Sequence, residues 1–181
     1  PHTTEPDSLR DNADELLLQD AYNMRKPVFG ICYGLQSLNV WRTGTLIQHL
    51  ETGINHDPGN DVVEAHRISL ASQSMLARIL ESVGIPRRGG DFAVNSSHHQ
   101  ASYIVGDGLR VAAWSPDDEV QEALEGTSSE HFVLAVQWHP ERTFDQYPAS
   151  RALFRAFLEA ASEWHRRLAK KQQDFESMPR K

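Results

Sequence analysis

The chain has 181 residues, of which 39% are hydrophobic and 24% charged, and its formal net charge is −7. This length and apolar content suffice for one domain with a sizeable core. The acidic balance argues against a nucleic-acid or anionic-membrane partner, and the sequence shows neither a bilayer-spanning apolar run nor a secretory signal pattern. Because a single cysteine cannot form an internal disulfide, we expect a cytoplasmic protein with a small-molecule partner.

The first predicted element is a helix from Pro6 to Lys26 that starts at Pro6-Asp7-Ser8 and ends before Pro27. Its apolar residues recur at helical spacing, so we expect this stripe to face the core. The stripe consists of Ala13, Leu16, Leu17, Ala21 and Met24.

The rest of the chain alternates between short apolar runs and helical patterns. The predicted strands are Val28–Ile31, Val62–Leu70, Phe92–Asn95, Leu109–Trp114, Glu119–Leu124 and Phe132–Trp138. Helices are predicted from Cys32 to about Arg42, after a cap at Ser72 or Ser74, and from about Pro148 to Lys170, followed by a frayed end. This order predicts a three-layer α/β fold with a mostly parallel central sheet flanked by helices and a small antiparallel addition.

The single cysteine, Cys32, stands between the apolar run Val28–Ile31 and the start of a helix. Gly30 and Gly34 flank it, as a sharp strand-to-helix corner requires, because a Cβ there would crowd the backbone. The free N–H groups and the dipole of a helix start favour a thiolate over a thiol. We therefore predict that Cys32 is a nucleophile, the alternative being a small buried hydrophobe.

A polar loop after the last predicted strand holds the residues that a cysteine nucleophile needs. A base must take the thiol proton, and a third group must hold that base in the right tautomer. His139 and Glu141, separated by Pro140, can supply this pair, the alternative being a loop histidine beside a surface charge. Because active sites in such sheets lie at the carboxyl ends of strands, we expect Cys32, His98 and His139 at one edge.

Two strings, GICYGLQ at 30–36 and VQWHPE at 136–141, carry a resemblance to a known family. They resemble the two signature motifs of the class I glutamine amidotransferase superfamily. The resemblance implies an oxyanion donor at the backbone N–H of Tyr33 and a catalytic triad made of Cys32, His139 and Glu141.

The string NSSHHQ at 95–100 resembles the gamma-glutamyl-gamma-aminobutyrate hydrolase branch of that superfamily, a branch linked to polyamine and putrescine catabolism. The similarity runs from about Asp7 to Leu168. It implies a substrate-side role for the polar residues Gln36, Asn95, Ser96, His98 and Gln100. A metal site is not expected, because no third ligand accompanies His98-His99 at suitable spacing.

Nothing before Cys32 matches the family's upstream strands or its Gly-rich loop, which donates a second oxyanion N–H. We therefore expect one hydrolase domain over residues 1–181 that lacks its N-terminal strands and oxyanion loop, or receives them from elsewhere. Loss of one such donor typically costs about 10²–10³ in rate, so we expect weak turnover by the chain alone.

The resemblance implies a cysteine hydrolase that cleaves small gamma-glutamyl amines through a gamma-glutamyl thioester, with neither a metal nor an organic cofactor. The expected partner is a small gamma-glutamyl substrate, not nucleic acid or a membrane, and a homodimer is left open. Two alternatives stand beside this hypothesis. One is a glutaminase domain that supplies ammonia to a synthase partner. The other is a non-catalytic relative that kept the strand-to-helix corner at Cys32.

Overall fold

A computed structural model describes residues 7–87 and 90–177 of the chain. Residues 1–6, which include Pro6 at the start of the first predicted helix, residues 88 and 89, and the last four residues lie outside this range. In chain order the elements are α1 Ser8–Met24, β1 Val28–Ile31, α2 Tyr33–Trp41, β2 Leu46–Ile47, β3 His66–Leu70, α3 Met75–Glu81, β4 Phe92–Val94, β5 Ala101–Ser102, β6 Leu109–Trp114, β7 Gln121–Gly126, β8 Val133–Val136, a 3₁₀ turn at Pro140–Thr143, and α4 Pro148–Glu176.

The described strands form one mixed sheet in the order β1-β8-β7-β6-β3-β4, with the short strands β2 and β5 attached at β7. The α/β class is confirmed. Within the described residues, however, β1 and β8 form a parallel pair and the other pairings are antiparallel, so the sheet is less parallel than predicted. The reason is that short connections join β6 to β7 and β7 to β8, which forces antiparallel directions.

Helices cover both faces of the sheet, and strand β8 shows why. Val133 and Ala135 pack with residues of α2 on one face, whereas Leu134 and Val136 pack with residues of α3 and α4 on the other. Successive side chains of a strand point to opposite faces, so a strand buried on both sides is apolar throughout. The three-layer arrangement follows from this pattern.

The apolar stripe predicted for α1 is mostly exposed, and of its members only Ala21 is buried. Leu16 and Leu17 are 68% and 67% exposed, while Leu18 and Tyr22 pack against α2 and Ala21 is buried. The helix is turned so that Leu18, Ala21 and Tyr22 face inward. These residues stand at positions i, i+3 and i+4, which form an equally regular helical face.

The structure also shifts several predicted boundaries and decides between the two predicted caps of α3. Strand β3 begins at His66, because Val62 and Val63 lie in the partly exposed segment before it. Helix α4 continues to Glu176 instead of fraying after Lys170, since the intervening run contains no glycine or proline. Ser74, not Ser72, caps α3 and accepts a hydrogen bond from the Ala77 N–H.

Across residues 7–87 and 90–177, no helix combines the length and the apolar character that crossing a membrane requires.

Candidate active site

Cys32 occupies a strained corner between β1 and α2, as the sequence predicts. Its backbone angles are φ 50° and ψ −103°, in a region that residues other than glycine seldom adopt. Its N–H donates to the Val136 carbonyl at 2.8 Å, and its own carbonyl accepts from the Leu35 N–H at 3.0 Å. The corner is thereby held from both sides, and the half-buried thiol is presented as in a nucleophile elbow.

The two flanking glycines differ in what they contribute. A Cβ on Gly30 would lie 2.9 Å from the backbone of Gly34 and 3.1 Å from the Ala135 Cβ, so this position needs glycine. A Cβ on Gly34 would meet no described atom within 4 Å. The prediction that packing at the corner needs both glycines is therefore right for Gly30 and wrong for Gly34 within the described residues.

The parallel pairing of β1 with β8 aligns Ile31 with Val136 and brings the loop after β8 beside Cys32. In that loop His139 Nδ1 lies 2.6 Å from Glu141 Oε1. Because an ionised carboxylate can only accept, Nδ1 carries a proton and Nε2 remains for the thiol. The structure thus brings together the three residues of the predicted triad.

The electrostatics of the corner favour a charged imidazole. The hydrogen bond with Cys32, and then the one with Glu141, raise the pKa of His139 to about 9 against the lowering effect of burial. Burial works to raise the pKa of Glu141, but the hydrogen bond with His139 outweighs it and keeps that pKa below its ordinary value. At neutral pH the imidazolium can therefore donate a proton to a leaving group.

Asn95 fixes the backbone of His139. Its amide group donates to the His139 carbonyl at 2.8 Å and its side-chain oxygen accepts from the His139 N–H at 2.9 Å. The Asn95 side chain is buried, so water does not compete for these two bonds. The geometry assigns Asn95 a positioning role, whereas the contact with substrate implied by the sequence stays a prediction.

Two buried glutamines form a chain of hydrogen bonds that ends at Cys32. The Gln36 amide donates to Gln137 Oε1 at 3.2 Å and to the Gln100 carbonyl at 3.0 Å. The Gln137 amide in turn lies 3.6 Å from Cys32 Sγ, within reach for a bond to sulfur. Sequence analysis missed Gln137, although its position two residues before His139 in the second motif was an available signal.

Tyr33 begins helix α2, so its N–H belongs to the first-turn amides that have no partner within a helix. Its position fits the predicted oxyanion donor. The side chain turns away to α1, where the hydroxyl donates to Asp11 and the Arg10 guanidinium lies 3.8 Å from the ring centroid. The hydrogen bond to Asp11 is the main cause that raises the pKa of Tyr33 to about 12.

The other predicted substrate-side residues differ in accessibility. Ser96 is buried and donates to the His56 carbonyl at 2.6 Å. His98 is buried as well and bonds the Gln100 carbonyl through Nδ1 at 2.9 Å. The Gln100 side chain is half-buried and donates to Gln48 at 2.7 Å. Their contact with substrate stays a prediction.

The structure corrects the premise on which a metal site was not expected. Local spacing around His98-His99 offers no third ligand, whereas the fold gathers four buried side chains from separate segments. Their potential ligand atoms lie within 4.8 Å of one another. We call this set the inner cluster, and it consists of His56, His66, His98 and Glu122.

An α/β sheet with a cysteine at a strand-to-helix corner and a histidine–glutamate pair after the neighbouring strand defines a class I glutamine amidotransferase-like protein. A family model described as Peptidase C26 matches residues 1–141. The chain belongs to the Peptidase C26 family.

Relatives and a solved structure agree with this assignment. The chain is 40% identical over 166 residues to a Mycobacterium tuberculosis protein provisionally named a glutamine amidotransferase, covering 90% of this chain and 49% of that protein. It is 32% identical over 165 residues to the gamma-glutamyl-gamma-aminobutyrate hydrolase PuuD of Escherichia coli K12, covering 83% of this chain and 60% of the hydrolase. The chain therefore spans about half to three fifths of these relatives.

A solved structure of a Thermoplasma acidophilum protein, provisionally named as part of a GMP synthase, superposes with a TM-score of 0.62. The match covers 88% of this chain and 67% of that one at 17% sequence identity. At this identity the likeness shows the shared fold.

Proposed function

We propose that the chain carries the catalytic corner of a cysteine hydrolase that cleaves the gamma-glutamyl amide bond of small gamma-glutamyl amines. The observation that carries this proposal is the hydrogen-bonded series Glu141–His139–Cys32 at the carboxyl ends of β1 and β8. The series contains a nucleophile, a base and a group that orients the base, which acyl transfer requires.

In the first half-reaction the Cys32 sulfur attacks the gamma-carbonyl carbon, and the carbonyl oxygen gains the negative charge. The Tyr33 N–H lies at the helix start, where it can donate to that oxygen. The carbon–nitrogen bond then breaks, and the departing amine takes the proton of His139. A gamma-glutamyl thioester on Cys32 remains.

In the second half-reaction a water molecule gives a proton to His139 and attacks the thioester carbonyl. The carbon–sulfur bond breaks, glutamate leaves and the thiolate is restored beside the imidazolium. Throughout, Glu141 holds the imidazole tautomer and supports its positive charge.

The choice of a gamma-glutamyl amine as substrate is supported by the Escherichia coli relative, which is named a gamma-glutamyl-gamma-aminobutyrate hydrolase. The loop 95–100 supports it too, since it meets the catalytic histidine through Asn95. The choice extends to this chain the reaction that the relative's name describes.

The proposal is tested by glutamate release from gamma-glutamyl-gamma-aminobutyrate, other gamma-glutamyl amines and glutamine, measured with the full-length natural protein. We expect partner-free release from the gamma-glutamyl amines. Cys32→Ala should lower turnover by about 10⁴–10⁶, the range found when a catalytic nucleophile is removed. A matched control is His165→Ala, which changes an exposed histidine on α4 and should leave the rate unchanged.

Three results would contradict the proposal. Activity retained in Cys32→Ala would exclude the nucleophile. Release from glutamine alone, rising sharply with a synthase partner, would establish the glutaminase alternative. A full-length protein without activity towards the whole panel would identify a non-catalytic relative.

A further inference from the structure

The inner cluster is assembled from four separate segments and is sealed from solvent. His56 comes from the loop before β3, His66 opens β3, His98 lies in the loop 95–100, and Glu122 is on β7. The side chains of the three histidines are 2–3% exposed and that of Glu122 is 0% exposed. Burying so many polar groups is costly unless something satisfies them.

The outward-facing nitrogen of each histidine is already engaged. His56 Nε2 lies 2.9 Å from Asp118 Oδ2. His66 Nδ1 lies 3.2 Å from the Arg67 carbonyl, and His98 Nδ1 lies 2.9 Å from the Gln100 carbonyl. Carboxylate and carbonyl oxygens only accept, so each histidine donates from this nitrogen. In a neutral imidazole ring the other nitrogen carries no proton, and it directs its lone pair inward.

When the three rings are neutral, the inward-facing atoms are all acceptors, and they face one another. Within the described residues, His56 Nδ1, His66 Nε2, His98 Nε2 and both oxygens of Glu122 make no hydrogen bond. Buried polar atoms are normally paired, so five unpaired acceptors around one point require an explanation. A proton on one ring would pair that ring with Glu122 and leave the other two rings unpaired.

The three distances from Glu122 are close to edges of a metal coordination tetrahedron, and all four ligand atoms lie within 4.8 Å of one another. Glu122 Oε1 lies 3.4 Å from His56 Nδ1, 3.5 Å from His66 Nε2 and 3.6 Å from His98 Nε2. Ligand bonds of about 2.0–2.1 Å around tetrahedral zinc place neighbouring ligand atoms about 3.3–3.4 Å apart. These separations are too long for good hydrogen bonds and suited to a shared cation.

We propose that the inner cluster binds one divalent metal ion of the zinc type through three imidazole nitrogens and one carboxylate oxygen. Such nitrogen and oxygen ligands suit zinc, and four protein ligands leave no position for substrate, which is the mark of a structural site. The outward hydrogen bonds to Asp118 and to the two carbonyls orient the rings, as the partners of metal-bound histidines commonly do.

The ion would act by fixing the loop 95–100. That loop contributes His98 to the cluster, Asn95 to the clamp on His139, and the Gln100 carbonyl to the bond from Gln36. The ion is therefore a positioning element for the corner and takes no part in the reaction. Its presence is independent of the substrate proposed above.

The test is the metal content of the full-length natural protein after incubation with Zn²⁺ and desalting. We expect about one zinc ion per chain, and Co²⁺ in its place should give the visible absorption bands of tetrahedral cobalt. In Glu122→Gln the retained metal should fall at least about tenfold, and Asp118→Asn should weaken affinity by about 10- to 100-fold. His99→Ala, next to His98 in sequence and outside the cluster, is the matched control and should retain the metal.

Because Glu122→Gln could also unfold the protein, the unmodified protein provides a second measurement. Treatment with a strong chelator should lower its melting temperature, and added Zn²⁺ should restore it, since an ion that binds the folded state stabilises it. Substoichiometric zinc in the folded, unmodified protein would overturn the proposal. Retention of zinc by a folded Glu122→Gln variant at the level of the control would overturn it as well.

Discussion

The catalytic corner and the inner cluster use the same side chains in opposite ways. At the corner, one histidine and one carboxylate meet near the surface, with Glu141 43% exposed and the pKa of His139 raised to about 9. In the inner cluster, three histidines and Glu122 are sealed, and their inward-facing atoms make no hydrogen bond within the described residues. Access to solvent and to a thiol makes the first a site for proton transfer, whereas sealing and convergent lone pairs make the second suited to a cation.

The two sites also share a structural element. Loop 95–100 lies between them, with Asn95 bonded to His139 and His98 within the inner cluster. A change to the Cys32 side chain should therefore act mainly on activity, while a change in the loop should alter both activity and stability.

The largest separable effect is expected from Glu141→Gln, which removes the charge from the corner and keeps its shape. Turnover should fall by about 10²–10⁴, since the orienting group of a triad is worth this much. The pKa of His139 should fall too, because a negative partner that raises it is lost. Rates and the titration of His139 by NMR check both expectations, with Glu163→Gln on the exposed face of α4 as control.

The direction of the pH effect follows from the raised pKa of His139. A folded-state pKa of about 9 means that the protonated imidazole stabilises the native state. This contribution is complete below the ordinary histidine pKa of about 6.5 and is lost as the pH rises through about 9. In Glu141→Gln the loss should occur at lower pH, and an unchanged titration would contradict the assigned hydrogen bond.

A smaller effect on rate is expected from Asn95→Ala, which tests the connection between the sites. Removing the clamp should lower kcat by about 10²-fold through misplacement of His139, with little change in KM. Because it leaves the His139 N–H without its partner and the His139 carbonyl with only the Arg142 N–H, stability should fall by about 1–3 kcal/mol. Steady-state kinetics and denaturant unfolding measure the two effects.

Two further variants make the Asn95 prediction specific. Asn95→Asp keeps the acceptor for the His139 N–H and loses the donor, so it should recover part of kcat. Asn12→Ala on the exposed side of α1 should change neither quantity. If Asn95→Ala changed stability with kcat intact, the positioning role would be refuted.

The glycine pair Gly30 and Gly34 tests, through the stability of the fold alone, whether the corner itself is tightly packed. Gly30→Ala should destabilise the fold by about 1–3 kcal/mol, because its Cβ would press on the Gly34 backbone. Gly34→Ala, in open space on helix α2, should instead stabilise by about 0.4–1 kcal/mol. Thermal unfolding measures both, and equal effects would contradict the geometry of the corner.

Local chemistry made part of this structure predictable from the sequence. An apolar run followed by Gly30, Cys32 and a helical pattern predicts a strand, a corner and a helix, and the structure has all three. The pair His139 and Glu141 was predictable because two residues across a proline can bond each other without help from the rest of the fold.

Other features depend on contacts between distant segments. Leu16 and Leu17 formed as regular a stripe as the residues that α1 turns inward, so periodicity alone could not choose the buried face. Similarly, the sheet is less parallel than predicted because strand direction depends on how the connections run, which apolar content does not encode.

By itself, the sequence determined the α/β class, the strand-to-helix corner at Cys32 and the histidine–glutamate pair, because each depends on residues close together in the chain. The tertiary structure alone decided that Gln137 reaches Cys32, that Asn95 holds His139, and that the inner cluster exists. Such contacts join residues tens of positions apart. They form only when the sheet sets the register of its strands and brings their loops together.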